Sequence, residues 1–188
     1  EIDNLKEDAT AFPRTDFQIY NYTIIGSPDS TTQRGITFKN GGGGFWSHGI
    51  MMTHALEAID VWGVEAGWRA HDDECMVTRT LFYDFGTDGE SYFPVAGDEY
   101  EDDGSGDDDD FFPEPDYYTD PLRENVFGQD PQLGDPYNLR DPGWVPSGAA
   151  VIGVDPPPEP FDPTANYLGA FAPDTIPWTA GWTSYPDS

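Results

Sequence analysis

Proline restricts the fold of this chain more than any other feature, because it is concentrated in one part of the sequence. Of the 18 prolines, 16 follow residue 91. Proline lacks a backbone donor and clashes with a helical backbone, so it excludes long helices and makes central strands unlikely to form. We therefore expect residues 121–188 to form an extended, mostly irregular ribbon. Hydrophobic residues occur singly in this part, which is typical of a ribbon that lies along another surface.

The first half of the chain contains short runs of β-branched and aromatic residues, separated by Gly, Asn, Asp and Ser. The runs are residues 17–26, 34–41, 47–54, 57–64 and 76–86. Alternating side chains in several runs predict β-strands. No Asn-Gly or Asp-Gly pair forms a two-residue turn between adjacent runs, so we expect a solenoid in which each strand stacks on the previous coil. The segment 51–63 also fits a short helix by its apolar spacing, but we favour a strand.

The charge of the chain excludes two classes of partner. There are 36 Asp and Glu residues against 8 Lys and Arg, which gives a formal net charge of −28. Such a field repels nucleic acid and anionic membrane surfaces. It suits high salt, divalent cations or a partner with a basic surface, and the composition leaves these three open. No apolar run approaches the roughly 20 residues of a membrane-spanning helix, so no transmembrane segment is expected.

The middle of the chain is the most acidic part. Residues 88–120 contain 14 acidic residues and no Lys, Arg or His. We expect a long excursion whose aromatic residues anchor both ends. Calcium takes six to eight oxygen ligands, and acidic side chains that alternate around a glycine can point inward to provide them. The acidic side chains around Gly104 follow this pattern. The predicted calcium ligands are Glu99, Glu101, Asp103, Asp107 and Asp110. A diffuse cloud of counterions is the alternative interpretation.

Other candidate sites are weaker. The histidines and the lone cysteine match no zinc-site spacing, and we interpret Cys75 as a buried, small hydrophobic residue. Residues 40–44, "NGGGG", predict a tight bend, because they lack the Lys-Ser/Thr of a phosphate loop. A polysaccharide-cleaving site would need paired carboxylates, and the candidates are Asp60, Asp72, Asp73 and Asp84, with Arg69 or Arg79 as the basic partner. Such pairs arise easily among 36 acids, so we do not predict an enzyme.

The six tryptophans allow two interpretations. If they are exposed, they form a sugar-stacking face or a protein interface. If they are buried, they cover the end of the fold, which would otherwise expose its core and an unpaired strand edge. We favour the buried, covering role for Trp178 and Trp182, and we assign neither role to the other four tryptophans.

The C-terminal end carries a specific pattern, "NYLGAF" followed by "PWTAGWTSY". The segments "QIYNYTIIG", "RGITFKNGGGG", "GIMM", "DPQLGDPYNLRDPGWVPSGAA" and "FDPTANYLGAF" precede it in order. Together they resemble a family of uncharacterised bacterial secreted or envelope proteins that end in a G-A-F…W-T-x-G-W-T signature. That resemblance implies a right-handed parallel β-helix whose long N-terminal coils lie outside this chain. The family has no assigned chemistry, so it implies no catalytic residue.

These observations predict an all-β protein that comprises the terminal coils of a right-handed parallel β-helix. We expect the coils in residues 1–87, the acidic excursion in 88–120 and the proline-rich ribbon in 121–188, packed back on the coils. The predicted function is a non-enzymatic structural protein, secreted or on the bacterial cell surface, that assembles with itself or with other envelope proteins and is stabilised by calcium. The alternative is a carbohydrate-binding or polysaccharide-degrading surface protein, with glycans as partners.

Overall fold

The computed structural model of the protein describes residues 1–94, 112–138, 140–181 and 183. The strands in this part of the chain are β1 (Ile2–Asp3), β2 (Gln18–Tyr20), β3 (Thr23–Ile25), β4 (Ile36–Lys39), β5 (Gly44–His54), β6 (Ile59–Trp62), β7 (Cys75–Phe85) and β8 (Val126–Phe127). The α-helices are α1 (Val64–His71) and α2 (Glu114–Tyr118), and Pro121–Arg123 and Ala149–Val151 form 3-10 helices. None of these helices is long and apolar enough to cross a membrane.

The strands form two sheets in which every pair is parallel. One sheet has the order β1-β4-β6, and the other has the order β2-β5-β7-β8, with β3 also paired to β5. Successive strands from β4 to β7 alternate between the two sheets. Side chains from both sheets form one buried core, which includes Phe38, Met51, Val61, Val77 and Phe82. Parallel strands of this kind are stable because the core and the covering segments bury both faces.

The prediction of an all-β protein is wrong. The structure is mixed α/β, and its described residues form no closed solenoid, so the terminal coils of a right-handed parallel β-helix are not what this chain adopts. Helix α1 occupies the connection between β6 and β7, for which the sequence analysis predicted no helix. Its buried face consists largely of Ala66, Gly67 and Ala70. Because these side chains are so small, they produce no apolar stripe that would identify a helix.

Arg69 joins α1 to the glycine run at residues 40–44. The side chain is 4% exposed. Its Nε donates to Glu74 at 2.6 Å, and one terminal nitrogen donates to the carbonyls of Thr15 and Gly41 at 2.8 Å each. A Cβ at Gly43 would lie 2.5 Å from the guanidinium carbon. The glycine run is therefore the surface on which this buried cation lies.

Four non-glycine residues with left-handed backbone conformation mark a bend that recurs in neighbouring strands. They are Asn21, His48, Arg79 and Glu124, with φ between 45° and 60°. The strand registers place His48 beside Arg79, and Arg79 beside Glu124. Arg79 Nε lies 2.8 Å from a carboxylate oxygen of Glu124. The bends thus align a column of polar side chains on one side of the five-stranded sheet.

The C-terminal part of the chain lies along this polar column. The Asn21 amide donates to the carbonyls of Ala165 and Tyr167, at 3.2 and 2.8 Å. His48 Nε2 donates to the Asp155 carbonyl at 2.6 Å. These bonds join positions more than 100 residues apart in sequence. They determine where the last described residues lie relative to β3 and β5.

Backbone contacts then continue along the tail towards the end of β3. The Gly169 N–H donates to the His48 carbonyl at 2.8 Å, and the Ala170 N–H donates to Thr23 Oγ1 at 2.9 Å. Leu168 is 1% exposed. A docked tail of this kind places the aromatic residues that follow it at one end of the five-stranded sheet.

Candidate functional site

A cavity of about 770 Å³ opens where β3 ends, between the following loop and the C-terminal tail. We call it the aromatic cleft. Its lining residues are Thr23, Ile25, Gly26, Ser27, Pro28, Asp29, Gln33, Pro136, Tyr137, Trp144, Ala170, Phe171, Trp178 and Thr179. They come from three separate parts of the sequence, so only the folded chain brings them together. A concave site of this size, lined mostly by apolar side chains with a few polar groups, is typical of small-ligand sites.

Three of the aromatic rings form a stack along the cleft. The centroids of Trp144 and Phe171 are 6.0 Å apart with 30° between the ring planes, and those of Phe171 and Trp178 are 5.9 Å apart with 17°. Phe171 is 6% exposed, whereas Trp178 is 60% exposed. One face of Trp178 therefore covers Phe171, while more than half of the Trp178 side chain stays exposed. Tyr137, which is 40% exposed, adds a fourth ring to the wall.

Hydrogen bonds to the backbone hold both indoles in place. Trp144 Nε1 donates to the Pro136 carbonyl at 3.1 Å, and Trp178 Nε1 donates to the Ala170 carbonyl at 2.9 Å. With the polar edge of each ring bound in this way, the aromatic surface is ordered before any ligand arrives. Pre-organisation of this kind reduces the entropy that binding would otherwise cost.

Two glycines allow the cleft walls to approach each other. A Cβ at Gly26 would lie 2.0 Å from the Thr53 carbonyl oxygen, so no other residue fits where β3 passes β5. Gly169 has φ +96°, and its Cβ would lie 2.8 Å from Ile50 Cδ1 and 3.0 Å from Thr23 Oγ1. The Gly26 contact lies between the end of β3 and β5, and the Gly169 contact lies between the tail and these two strands, so both glycines allow segments that line the cleft to pack closely.

Polar groups lie on the rim of the cleft, in the loop after β3. The amide oxygen of Gln33 accepts a hydrogen bond from the Ser27 N–H at 2.7 Å, which closes the loop. Asp29, inside this loop, is exposed and is the one carboxylate in the described lining of the cleft. The rim therefore places hydroxyl, amide and carboxylate groups beside the exposed indole of Trp178. This arrangement can bind a molecule that has one flat apolar face and polar edges.

The predicted calcium ligands lie outside the described residues. This applies to all five, Glu99, Glu101, Asp103, Asp107 and Asp110. Among the residues that the structure does describe, no group of three or more His, Cys, Asp or Glu side chains is arranged to hold a metal ion. Calcium binding by the acidic tract therefore stays a prediction.

The carboxylates considered for polysaccharide cleavage have different surroundings. Asp60 lies 3.5 Å from Arg34. Asp73 accepts hydrogen bonds from Tyr117 at 2.6 Å and Arg123 at 2.7 Å, and these bonds hold the pKa of Asp73 below its ordinary value. Asp84 accepts from the Thr53 hydroxyl at 3.2 Å. Of these three carboxylates, Asp60 and Asp73 have basic partners, whereas the hydrogen bond to Asp84 comes from a hydroxyl.

Two interpretations of single residues have clear outcomes. Cys75 is fully buried, and burial raises the pKa of its thiol to about 12, which confirms a small hydrophobic residue. The expectation that Trp178 is buried as a cover is wrong, because this ring is 60% exposed. Phe171, rather than Trp178, is the aromatic residue of the tail that enters the interior. Trp182 lies outside the described residues.

The sequence did not indicate which tryptophans would share a site. The only available signal was that aromatic residues occur singly along a proline-rich segment, as expected for side chains that fill separate pockets. The fold and the cleft define the chain as a mixed α/β protein with parallel sheets and an aromatic cleft. Comparisons with models of protein families, with curated proteins and with solved structures found no match. The resemblance of the C-terminal signature therefore stays a prediction.

Proposed function

We propose that this protein is a secreted or cell-surface binding protein that holds a neutral glycan in the aromatic cleft. The observation that carries the proposal is the exposed indole of Trp178, which stacks on Phe171 and lies beside the polar loop of Ser27 to Gln33. Sugar rings have an apolar face of C–H groups and a rim of hydroxyls. An indole face beside hydroxyl, amide and carboxylate groups complements both of these features.

The charge of the protein supports a neutral rather than an anionic glycan. The net charge is −28, and the cleft itself carries the carboxylate of Asp29. A glycan with carboxylate or sulfate groups would be repelled during approach and in the bound state. A neutral glycan avoids both costs and donates hydroxyl hydrogens to the carboxylate.

We further propose that binding occurs without cleavage. Glycoside hydrolysis generally uses two carboxyl groups on opposite sides of the bond that is cut. The described lining of the cleft contains one carboxylate, Asp29. A single exposed carboxylate is sufficient to accept hydrogen bonds from a sugar, which is all that a binding protein needs.

The experiment compares two exposed tryptophans. Trp178→Ala removes the stacking face, whereas Trp68→Ala removes a tryptophan that is 52% exposed on α1, outside the cleft. Burying an aromatic side chain contributes about 1.5–3 kcal/mol, so Trp178→Ala should weaken binding about 10-fold to 100-fold. Retention on cellulose, chitin, xylan and starch, followed by isothermal titration with the retained glycan, measures the effect. Trp68→Ala should bind like the wild type.

Two outcomes would refute this proposal. One is that the wild-type protein is retained by none of the four polysaccharides. The other is that Trp178→Ala and Trp68→Ala bind equally well. Circular dichroism of both variants verifies that a loss of binding does not come from a loss of fold.

A second candidate function is assembly at the open edges of the two sheets. β1 and β2 are the end strands of their sheets among the described residues. Phe17 and Ile19, beside this edge, pack against the core but remain partly exposed. At the opposite end, the Tyr92 carbonyl accepts from Ala58 and Ile59 and so covers β6. An open strand edge of this kind can accept a strand from another molecule.

A proline at the open edge tests this second function. The Phe45 N–H donates to the Phe17 carbonyl, and the Asn21 N–H donates to the Ser47 carbonyl, so odd-numbered residues face β5 and Gln18 faces the open side. Gln18→Pro should therefore block added strands while keeping the β2–β5 bonds. Light scattering after gel filtration, with calcium or with a chelator, measures the oligomer. A wild-type protein that is monomeric in both conditions would contradict assembly and its stabilisation by calcium.

A further inference from the structure

A second cavity, of about 380 Å³, adjoins the aromatic cleft. We call it the polar pocket. Ser27 and Pro28 line both cavities, so they form the ridge between them. The polar groups on the far side of this ridge are the hydroxyls of Ser30, Thr31, Thr53 and Thr87, the carboxylate of Asp84 and the ring of His54. The described lining of the polar pocket contains no Phe, Tyr or Trp, so it presents different side chains from the aromatic cleft, although the two share a wall.

Direct contacts join the two cavities. The Thr53 hydroxyl donates to Asp84 at 3.2 Å inside the polar pocket. The same Thr53 side chain lies close to Tyr137, whose ring lines the aromatic cleft. A ligand that crosses the ridge would therefore pass from aromatic rings to a connected set of hydroxyl and carboxylate groups within a short distance.

The polar pocket has an ordered wall. Thr53 and Asp84 lie opposite each other on β5 and β7, and both have left-handed backbone conformation, with φ 56° and 60°. His54 is 6% exposed and stacks on Phe85, with the ring centroids 5.2 Å apart and 8° between the planes. The wall is therefore formed by residues of two central strands, which position polar groups more accurately than a free loop would.

We propose that the polar pocket is a second subsite for the same glycan, so that the protein recognises a chain of several sugars rather than a single sugar. The inference rests on the proposed function of the aromatic cleft. One part of the chain stacks on Trp178, and the next part crosses the ridge and donates hydroxyl hydrogens to Asp84. Because Asp29 and Asp84 lie on either side of the ridge, the chain is neutral or carries amino groups along its whole bound length.

The test measures affinity against the length of the glycan. Oligosaccharides of one to six sugars, cut from whichever of cellulose, chitin, xylan or starch the wild-type protein retains, are titrated by calorimetry. Wild-type affinity should rise when the chain becomes long enough to cross the ridge. Asp84→Asn should lower the affinity for the longer oligosaccharides about tenfold and so remove most of this rise, because a hydrogen bond to a charged group is stronger than one to a neutral group. It should leave the affinity for the shortest ligand unchanged.

Two further variants make the result specific. Asp116→Asn removes one carboxylate from an exposed position on α2 and should behave like the wild type. Thr31→Arg places a large side chain in the polar pocket from an exposed loop position, so it does not alter the pairing of β5 with β7. Like Asp84→Asn, it should remove most of the rise in affinity with glycan length. Unchanged affinity for the shortest ligand shows that each variant is folded.

The outcomes separate the two proposals. A wild-type affinity that does not depend on length, or an Asp84→Asn variant that keeps the full rise, would overturn the second subsite and leave the glycan-binding function intact. If no oligosaccharide of any length binds, the glycan-binding function itself fails. A rise with length that is lost in both Asp84→Asn and Thr31→Arg would support the second subsite.

Discussion

Replacing Gly169 with alanine should weaken the docking of the C-terminal tail and, with it, the aromatic cleft. Gly169 has φ +96°, where an L-residue is strained by about 1–3 kcal/mol. The new Cβ would also lie 2.8 Å from Ile50 Cδ1 and 3.0 Å from Thr23 Oγ1. Inserting a methyl group into a packed interior costs about 1–3 kcal/mol. The two contributions together predict a loss of about 2–6 kcal/mol from the free energy of docking.

The functional effect follows from the position of Gly169 in the tail. The Gly169 N–H donates to the His48 carbonyl at 2.8 Å. Gly169 precedes Phe171 by two residues and Trp178 by nine. If this contact is lost, both aromatic residues lose their position beside β3. Gly169→Ala should therefore reduce glycan binding, and it should make the tail more accessible to protease before the whole domain unfolds.

Gly153→Ala is the matched control. Gly153 also has positive φ, at +82°, but nothing lies within 4 Å of its would-be Cβ. This variant should show only the conformational cost, about 1–3 kcal/mol, and should keep its binding. Urea denaturation, limited proteolysis and glycan titration of both variants provide the comparison. Equal effects on stability and binding in the two variants would refute the argument that close packing at Gly169 holds the cleft together.

Three other predictions concern buried groups. Arg69→Met should lower the free energy of unfolding by about 1–3 kcal/mol in urea denaturation, because it leaves the Gly41 carbonyl without its buried donor and leaves the Thr15 carbonyl with the Gly43 N–H. A loss below about 0.5 kcal/mol would contradict this. Burial lowers the pKa of both His48 and His54, so the unfolded chain binds protons more readily than the folded protein. The free energy of unfolding should therefore be constant above about pH 6.5, the ordinary histidine pKa. It should fall as the pH drops from there towards the lowered pKa values. Denaturation at several pH values between about 7.5 and 5 measures this fall, and stability that rises on acidification would contradict it. Cys75, with its pKa raised to about 12 by burial, should not react with a thiol reagent near pH 8 until urea unfolds the protein, so rapid reaction of the native protein would argue against its burial.

The strands were predictable from the sequence because their signal is local. Strands β2 and β3 lie within the run 17–26, β4 lies within 34–41 and β6 within 57–64, and β7 begins one residue before the run 76–86 and ends inside it. The interpretation of residues 51–63 as strand rather than helix is confirmed by β5 and β6. In each case, β-branched and aromatic residues fill a pleated, buried surface, and Gly, Asn or Asp end the run.

Helix α1 was not predictable because its stability comes from outside the helix. Eight residues are too few to form a stable helix alone, and the sequence has a glycine in the middle. Arg69 provides the missing stabilisation through Glu74, Thr15 and the glycine run. The predicted fold class failed at this point, because a strand pattern contains no information on a helix that depends on a distant loop.

The sequence by itself determined the strands β2 to β7, the mostly irregular proline-rich half and the acidic net charge. These properties depend on backbone sterics and net charge, which act locally or add up over the whole chain. The tertiary structure alone decided the fold class and the assembly of the cleft. Contacts such as the one between Ala170 and Thr23, which are 147 positions apart, determine that Trp178 is exposed and that Phe171 is buried. That choice depends on packing between distant segments, and no local pattern in the chain specifies it.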